Sequence, residues 1–309
     1  MKIKNSSIKK SIHFLKKNEC IGIPTETVYG LAANAYSNKA VLNIFKLKKR
    51  PRNNPLIVHY NDIVTLKKDC HTNNSFLKLY KKFCPGPLTF ILKLKKRNLI
   101  SKYVTNNSNN LAVRFPKHPI TRLLLKKINF PLAAPSANKS TSISPVTKED
   151  VIEEFGKKIK YVINGGRTKI GLESTIIDLT NKPKILRLGG IEVKKISDTI
   201  NLNLTYNTKK KIKYPGNSKL HYSPGIPIKM NIRKPQRHSA YLLIKKREKN
   251  NKNFFYLTKN KNLGEAGKNL YKILRKIKKK KYKLIEVEKI PNIGFGETIN
   301  DRLLRASAK

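Results

Sequence analysis

The sequence predicts an α/β protein in which a twisted, mixed sheet is flanked by helices. Short apolar runs of strand type alternate with amphipathic segments of helical period over about 200 residues, and turns rich in Pro or Gly separate them. A second, shorter series of the same kind follows a polar stretch. The 309 residues are therefore predicted to form a domain at 1–203, a linker at 204–227 and a small C-terminal α/β domain at 228–309.

The first third of the chain contains elements of both kinds. Apolar residues recur at near-helical spacing between lysines over residues 7–17, which predicts an opening amphipathic helix. Ser37 is a suitable N-cap for a second helix, and Pro51 closes that helix. A third helix is predicted at Ser75–Phe83, and strands at Ile21–Pro24, Leu56–His59 and, after a Pro-Gly-Pro turn, Leu88–Leu94.

The remainder of the first domain alternates strands with two helices. One helix is predicted over residues 118–128 and the other over 148–155, with Thr147 as the N-cap of the second. The strands are predicted at Leu111–Phe115, Pro131–Ala134, Tyr161–Asn164, Thr175–Leu179 and Ile185–Leu188.

A polar segment, Asn201–Lys213, leads into a loop that holds an aromatic–histidine pair, His221-Tyr222, among four Pro or Gly residues. Such a loop is unusual for a passive tether. The basic run Arg275–Lys281 is predicted to be a solvated helix end. Beyond the loop we predict strands at Tyr241–Ile244, Phe254–Leu257 and Leu284–Val287, and helices at Leu263–Ile277 and Thr298–Ala306.

The charge of the chain is strongly positive, with 68 basic and 18 acidic side chains and a formal net charge of +50. Such a charge attracts nucleic acid or a membrane surface in general. Lysine, asparagine and isoleucine are abundant throughout, however, as an AT-rich genome would produce, and the charge is spread rather than focused. Contact with RNA and genome composition both stay open as explanations.

The three cysteines, Cys20, Cys70 and Cys84, have neither C-x-x-C spacing nor the histidine partners of a zinc site. We expect free thiols in a reducing compartment. No stretch approaches the ~20 apolar residues that a membrane span requires, and the first residues lack the apolar core of a secretory signal. A cytoplasmic protein without membrane association is expected.

The most informative stretch is Pro24–Leu31, where several hydrogen-bonding side chains follow an apolar run of strand type. A group of cations, Lys46–Arg50, comes about twenty residues later, and Pro51 stops the helix that carries it. A polar turn that faces a cationic fork is suited to a small anion. The spacing indicates an anion site but no particular reaction.

These two stretches also open a longer pattern, which resembles the YrdC-like domain of threonylcarbamoyl-AMP synthases over about residues 8–200. The linker resembles that of the two-domain form of the synthase, in which it crosses the catalytic cleft. Pro215-Gly216, His221-Tyr222 and Pro224 match this pattern, whereas Asn217 and Leu220 depart from it. The further matching blocks are Asn53–His59, Cys84–Thr89, Leu111–Pro116, Ala134–Asn138, Gly171–Ile176 and Leu186–Gly190.

The resemblance implies a YrdC-like catalytic domain, a Rossmann-like C-terminal domain and the activity of an L-threonylcarbamoyladenylate synthase. The implied reaction carboxylates the amine of L-threonine with bicarbonate, adenylates the carbamate with ATP and releases pyrophosphate. Mg²⁺ would accompany ATP, held mainly by phosphates and water. The product serves the threonylcarbamoyladenosine modification of tRNAs that read codons beginning with A. The implied partners are a downstream threonylcarbamoyl transferase complex and tRNA or double-stranded RNA.

Positions that match the family motifs give the implied site residues, none of them a metal ligand. Lys48, Arg50, Ser136 and Asn138 would form the catalytic set, with Lys46 a lesser candidate. An arginine fork can grip an oxyanion through two hydrogen bonds, whereas lysine acts as a point charge. The implied ATP-binding residues are Arg50, Asn54, Asn110, Ser136, Ser144, Arg187, His221 and Tyr222. The implied threonine-binding residues are Thr27, His59, Arg114, Ala134 through its backbone, and Ser174.

Structural roles remain as alternatives for single residues. Lys48 and Arg50 could be an exposed basic helix end, Thr27 a helix cap and His59 a satisfied strand-end histidine. Two other functions are also open: an RNA-binding protein that uses the basic cleft without catalysis, and the YrdC-like module of the carbamoyltransferases that mature hydrogenases. The cysteine-rich zinc modules of the latter are absent, and no Walker-type phosphate loop is found.

Overall fold

The computed structural model describes residues 5–204, 206, 215, 220–248 and 251–308, so much of the predicted linker, including Tyr214 and 216–219, lies outside the described residues. The strands form two sheets. The first contains β1 (Ile21–Ile23), β2 (Gly30–Asn34), β3 (Ile57–His59), β4 (Leu88–Lys93), β5 (Asn110–Arg114), β6 (Leu132–Ala133), β7 (Tyr161–Val162), β8 (Thr175–Asp178) and β9 (Lys184–Arg187). The second contains β10 (Ile228–Lys229), β11 (Ala240–Lys245), β12 (Phe254–Thr258) and β13 (Ile285–Val287).

The α-helices lie between these strands. They are α1 (Asn5–Lys16), α2 (Asn38–Lys48), α3 (Ile63–Asp69), α4 (Asn74–Phe83), α5 (Lys102–Thr105), α6 (Pro119–Lys126), α7 (Lys148–Phe155), α8 (Val193–Ile200), α9 (Leu263–Lys279) and α10 (Phe295–Ser307). Ser37 caps α2 by accepting a hydrogen bond from the amide of Ala40, and Thr147 forms a capping box with Asp150 at α7. Both caps were predicted, because the cap residue and the apolar stripe that follows it are local signals.

The first sheet is mixed, with the strand order β7-β1-β2-β6-β3-β5-β4-β8-β9. The pairs β1–β7, β3–β5 and β4–β8 are parallel, and the remaining neighbours are antiparallel. In the parallel pair at its centre, His59 lies beside Arg114 and Ile57 beside Ala112. Because side chains alternate between the two faces of a strand, these four residues point to one face of the sheet.

Helices pack on both faces of the first sheet. The larger core lies under α2 and α4, where Ile44, Phe76 and Phe90 are buried. On the opposite face, α1 and α6 bury Ile8 and Leu124 against β1, β2 and β6. The residues that these two helices bury on the sheet belong to β1, β2 and β6.

The second sheet is entirely parallel, in the order β10-β13-β11-β12, and α9 and α10 pack on it. Its apolar core extends into the first domain, because Val28, Ile143 and Leu172 belong to the same buried cluster. Val28 and Ile143 lie next to the predicted site positions Thr27 and Ser144 in the chain, and Leu172 lies two residues before Ser174. The second domain therefore packs directly on loops that shape the site.

The predicted fold class, a mixed twisted sheet with helices and a small second α/β domain, is confirmed. Five elements were missed: β2, α3, α5, α8 and β10. β2 follows the polar Pro24–Val28 stretch, and its sequence Gly-Leu-Ala-Ala-Asn has no β-branched residue. α5 and β10 have only four and two residues, too few for a periodic signal.

Arg275 corrects the prediction for the basic run at 275–281. Its guanidinium is 7% exposed, donates to the carbonyl oxygen of Ile143 at 2.7 Å and forms an ion pair with Glu154 at 3.1 Å. The following lysines are exposed, as predicted. Arg275 differs from these lysines because its side chain is buried in contact with the first domain. Local sequence does not encode such a contact. Among the described residues no helix has the length and apolar character that crossing a membrane would demand.

Candidate active site

One cavity at the exposed end of the first sheet gathers most of the predicted site residues. Its wall also includes Thr25, Tyr29 and Glu173, which were not predicted. The predicted residues that line it are Thr27, Arg50, His59, Arg114, Ala134, Ser136, Ser174, Arg187, His221 and Tyr222.

Sheet topology brings these distant residues together. Thr27 lies in the loop between β1 and β2, and Gly30 of β2 bridges to Ser136 in the loop that follows β6. His59 and Arg114 end the neighbouring strands β3 and β5. Strand ends that meet at one edge of a sheet place their following loops around a single cleft. Thr27 is therefore a loop residue at this cleft rather than a helix cap.

Arg50 is held in place by its own loop. Its Nε donates to the carbonyl oxygen of Asn54 at 3.0 Å, and its Nη2 donates to Asn54 Oδ1 at 2.5 Å and to the carbonyl oxygen of Pro55 at 2.8 Å. Asn54 thus orients Arg50 rather than lining the cavity. Burial and, after it, the neighbouring charge of Arg187 lower the pKa of Arg50 to about 9.

Lys48 lies behind the cavity wall. Its Nζ donates to the carbonyl oxygens of Ser136, at 2.6 Å, and Asn138. The amide nitrogen of Asn138 donates in turn to the carbonyl oxygens of Lys139 and Ser142, whereas its buried Oδ1 has no partner among the described residues. Lys48 therefore ties down the loop that presents Ser136. The exposed Lys46 makes no contact with this cavity in the described structure.

Arg187, at the end of β9, is fixed by neutral acceptors. Its Nε and Nη2 donate to the carbonyl oxygen of Ser174 at 3.1 and 2.9 Å, and its Nη1 donates to that of Pro215 at 3.2 Å. The hydroxyl of Ser174 also contacts Thr89 Oγ1 at 2.7 Å. This network positions Ser174 and turns the remaining face of Arg187 toward the cavity.

Three cations at the cavity therefore form no ion pair. Lys48, Arg50 and Arg187 are 1%, 8% and 5% exposed, and across the described part of the chain no carboxylate oxygen lies within 4 Å of them. Burial, together with the charge of Arg50, also lowers the pKa of Lys48 well below its usual value. A buried cation without a counter-ion is costly, and a cluster of them marks a binding site for an anion.

Arg114, which also lines the cavity, is in contrast paired with a carboxylate. Arg114 Nη2 lies 2.6 Å from Glu26 Oε1, and the second carboxylate oxygen of Glu26 accepts the amide of Lys117 at 2.9 Å. The imidazole of His59 is 2% exposed, and its Nδ1 has no partner within the described structure. Burial and then Arg114 hold the pKa of His59 well below its usual value, so the ring is neutral.

The described part of the linker closes over the cationic end. The amide of His221 donates to the carbonyl oxygen of Arg305 in α10, and the amide of Ser223 donates to that of Thr141. The side chains of His221 and Tyr222 are buried, yet His221 Nδ1 and the Tyr222 hydroxyl lack partners among the residues described. Such orphaned polar atoms at a cavity wall are suited to a polar ligand.

Comparison with known proteins identifies the family. Residues 13–189 match the Sua5/YciO/YrdC family model, described as telomere recombination, and residues 191–308 match the C-terminal domain of threonylcarbamoyl-AMP synthase. The chain is 34% identical to the threonylcarbamoyl-AMP synthase of Pyrococcus abyssi, over 99% of this chain and 95% of the relative. It belongs to the threonylcarbamoyl-AMP synthase family. A Bacillus subtilis synthase is also 34% identical, with 97% of this chain and 92% of the relative covered.

Solved structures agree with this membership of the synthase family. The crystal structure of Pyrococcus abyssi Sua5 complexed with L-threonine superposes with a TM-score of 0.90 at 32% identity, over 99% of this chain and 96% of that chain. Escherichia coli YciO shares the fold of about the first domain, with a TM-score of 0.55 over 61% of this chain. Both domains of this synthase-family chain thus have the architecture of a solved relative.

Besides Asn54, two further predicted nucleotide residues, Asn110 and Ser144, do not line the cavity of this synthase. Ser144 is fully buried, and its hydroxyl donates to Glu173 Oε1 at 2.6 Å. Asn110 is the first residue of β5 and Arg114 the last, so the alternation of side chains along the strand places both on the same face of the sheet. The register of β3 with β5 places Asn110 beside the loop that carries Asn54.

Glu173 is the charged site residue that sequence reasoning missed. It falls within the matching block Gly171–Ile176, but no local pattern separates a buried hub carboxylate from an exposed glutamate. Its partners are distant in the chain. Ser144 precedes Glu173 by 29 residues, whereas Tyr271 and Arg302 follow it by 98 and 129 residues. The family motif was the only signal that could have found it.

Proposed function

We propose that the protein synthesises L-threonylcarbamoyl-AMP from L-threonine, bicarbonate and ATP, with release of pyrophosphate. The observation that carries this proposal is the set of three buried cations, Lys48, Arg50 and Arg187, that form no ion pair within 4 Å in the described structure. A triphosphate would supply the missing negative charge, and guanidinium groups bind its oxygens through paired hydrogen bonds.

The nucleotide would lie at this cationic end of the cavity. Arg50 and Arg187 would contact phosphate oxygens, and the Ser136 hydroxyl would donate a further hydrogen bond. The unpartnered atoms of His221 and Tyr222 would complete the enclosure from the linker side. Lys48 and Asn54 would act indirectly, because they hold the Ser136 loop and the Arg50 side chain.

Threonine would lie at the end that contains Arg114. An arginine whose charge is balanced by Glu26 is suited to one carboxylate rather than to a polyphosphate. Thr27, His59, Ser174 and the backbone of Ala134 line the same end and could receive the amine and the hydroxyl. The related Pyrococcus abyssi structure was solved as a complex with L-threonine, which supports threonine as a substrate.

Catalysis would depend on placement and charge stabilisation. Holding the carbamate next to the α-phosphate removes an entropic barrier worth up to ~7–11 kcal/mol in ideal cases. Carbamates decompose readily in water, so the linker at His221 and Tyr222 would protect the intermediate. Every step could proceed without a covalent enzyme intermediate.

Mg²⁺ would enter with the nucleotide. Over the residues that the structure describes, no group of three His, Cys, Asp or Glu side chains could hold a metal ion. A neutral oxygen is present at the cavity instead, the Ser136 hydroxyl, whereas Asn138, whose buried Oδ1 is unpartnered, does not line the cavity. This donor set fits an ion held mainly by phosphates and water, which would neutralise phosphate charge and orient the leaving group.

Omission of single substrates tests the proposal. Purified protein with ATP, threonine and bicarbonate should release pyrophosphate and form threonylcarbamoyl-AMP, detected by mass spectrometry. Leaving out any one substrate should stop both. Pyrophosphate release that continues without threonine would contradict the proposed reaction. We expect the product to pass to a downstream threonylcarbamoyl transferase complex for modification of tRNA.

A further inference from the structure

Arg302 in α10 lies deep between the second domain and the cavity. It is 1% exposed, its Nε lies 2.8 Å from Glu173 Oε2, and its Nη2 donates to the carbonyl oxygen of Leu188 at 2.7 Å. Its guanidinium carbon lies 4.7 Å from the centre of the Tyr222 ring, within the range of a cation–π contact. A single side chain of the second domain thus contacts a cavity residue, the end of β9 and the linker.

Glu173 connects Arg302 to the cavity wall. Both of its carboxylate oxygens lie within 3.0 Å of the Tyr271 hydroxyl, one also accepts the Ser144 hydroxyl at 2.6 Å, and the other faces Arg302. Burial raises its pKa, but Arg302, Arg187 and these hydrogen bonds outweigh burial and lower the pKa overall. An ionised carboxylate with both oxygens occupied is suited to positioning its neighbours rather than to accepting a proton from substrate.

Tyr222 depends on the same arginine. The residue has a φ of 64°, in the left-handed region that a tyrosine rarely adopts without support from its surroundings. Its ring contacts the guanidinium of Arg302 and also stacks with the Tyr271 ring, whose centre is 5.9 Å away. The hydroxyl of Tyr222 has no partner among the described residues and lies at the cavity wall.

We propose that Arg302 is a positioning residue through which the second domain controls nucleotide binding. It acts by fixing Glu173, and with it Ser144, and by holding the Tyr222 ring over the cationic end of the cavity. This inference rests on the proposed function, because Glu173 and Tyr222 line the cavity and Tyr222 lies at the end assigned to ATP. Ser174 at the threonine end depends less on Arg302, because Thr89 and Arg187 also hold it.

A purely structural role for Arg302, in which it only attaches the second domain to the first, makes a different prediction. Arg167 also crosses between the domains, since its Nη2 donates to the carbonyl oxygen of Lys268 and to Asn269 Oδ1 at 2.9 and 2.8 Å. None of these three residues lines the cavity described above. If Arg302 served only to attach the second domain, loss of the Arg167 contacts would have similar effects on nucleotide binding.

The experiment compares Arg302→Lys, Arg302→Met and Tyr271→Phe with the control Arg167→Gln in the full chain. ATP affinity is measured by calorimetry, and KM for ATP and for threonine by pyrophosphate release. Arg302→Met should weaken ATP binding and raise KM for ATP by about tenfold or more, as expected when a buried charged hydrogen bond is lost. Arg302→Lys should recover part of this loss because it keeps the charge. KM for threonine should change less than about twofold, because the hydrogen bonds of Thr89 and Arg187 to Ser174 remain.

Tyr271→Phe provides the test if the arginine variants do not fold, because it removes one hydroxyl from Glu173 and keeps the ring. It should raise KM for ATP about threefold, whereas Arg167→Gln should leave it unchanged. Unchanged ATP affinity in the Arg302 and Tyr271 variants, or an equal loss in Arg167→Gln, would overturn the proposal. A wild-type protein that binds ATP but forms no threonylcarbamoyl-AMP would instead overturn the proposed function, and the calorimetry would still test Arg302.

Discussion

The ammonium group of Lys48 lies 2.6 Å from the backbone carbonyl oxygen of Ser136, at the C-terminal end of α2. Both residues were predicted as catalytic, yet only Ser136 lines the cavity. The lysine therefore spans the distance between a helix end and the loop after β6, which are 88 residues apart in the chain. The hydrogen bond from Lys48 fixes the position of the Ser136 loop, and the charge of Lys48 adds to the positive potential around Ser136.

Replacing Lys48 with methionine tests this indirect role. The side chain keeps its approximate volume but no longer donates to the carbonyl oxygens of Ser136 and Asn138. We expect kcat to fall about 10²-fold, the size of effect that a displaced loop produces. Thermal unfolding should change little, because removal of a buried charge offsets the lost hydrogen bonds. Lys46→Met, at an exposed position of the same helix, is the matched control, and equal activity of the two variants would exclude the role.

Replacing Arg50 with alanine should remove a direct contact with phosphate. We expect kcat for pyrophosphate release to fall about 10²–10³-fold, as when one preorganised donor to a developing charge is lost. Arg52→Ala removes an exposed cation two residues away and should retain wild-type activity. Circular dichroism would check that both variants fold, and a folded Arg50→Ala with wild-type turnover would contradict the assignment.

The location of the site was predictable, but its internal organisation was not. Arg50, Ser136 and Arg187 lie within short motifs, so family resemblance found them before any geometry was known. Ser136 lines the cavity whereas Lys48 holds the Ser136 loop through backbone carbonyl oxygens. Every residue has such a carbonyl, so this difference in role has no sequence signal. Glu173 depends on Arg302 more than a hundred residues later, and such a long-range pair cannot be inferred from one sequence.

The fold shows the same limit at the level of elements. The capped helix after Ser37 was predicted because its cap and apolar stripe are local. β2 at Gly30–Asn34 was missed, because its strand conformation comes from pairing with β1 and β6 rather than from intrinsic propensity. Arg275 was assigned to solvent because its partner Glu154 belongs to the other domain.

Two substitutions of Arg114 should separate binding from stability. Arg114→Lys keeps a cation near Glu26 but loses the planar fork, so KM for threonine should rise about 10–100-fold while ATP affinity stays unchanged. Arg114→Ala leaves the Glu26 carboxylate, which is 6% exposed, without its cation. The free energy of unfolding should then fall by about 3–5 kcal/mol. Chemical denaturation and steady-state kinetics measure the two effects, and an altered ATP affinity in Arg114→Lys would contradict the division of the cavity.

Neutral histidines in the cavity predict how stability depends on pH. Burial is the main cause that lowers the pKa of both His59 and His221 well below 6.5; Arg114 adds to it at His59, and Arg50, Lys48 and Arg187 add to it at His221. Below pH 6.5 the unfolded chain binds protons that the folded protein excludes, so the free energy of unfolding falls as pH decreases. Each histidine should contribute up to about 1.4 kcal/mol per pH unit between pH 6.5 and 5.

Denaturation curves at several pH values, with and without ATP, would measure this slope. His221→Asn should reduce it, whereas His13→Asn on the exposed face of α1 should not. ATP should also reduce it, because phosphate charge near Arg50 favours protonation of His221. A slope that His221→Asn and ATP both leave unchanged would show that this histidine does not lie among the cations.

Gly189, which follows the end of β9, is predicted to be essential for the shape of the threonine end. A Cβ at this position would lie 2.4 Å from backbone atoms of Glu173, Ser174 and Thr175, and backbone cannot give way as a flexible side chain can. Gly189→Ala should therefore lower the free energy of unfolding by about 1–3 kcal/mol or more and raise KM for threonine by displacing Ser174. Gly264→Ala is the control, because the nearest atom there is the side-chain oxygen of Asn262 at 3.2 Å, in the first turn of α9. Thermal unfolding of Gly264→Ala should match or exceed that of the wild type, and a Gly189→Ala protein with wild-type stability and KM would mean that the segment after Glu173 can move without cost.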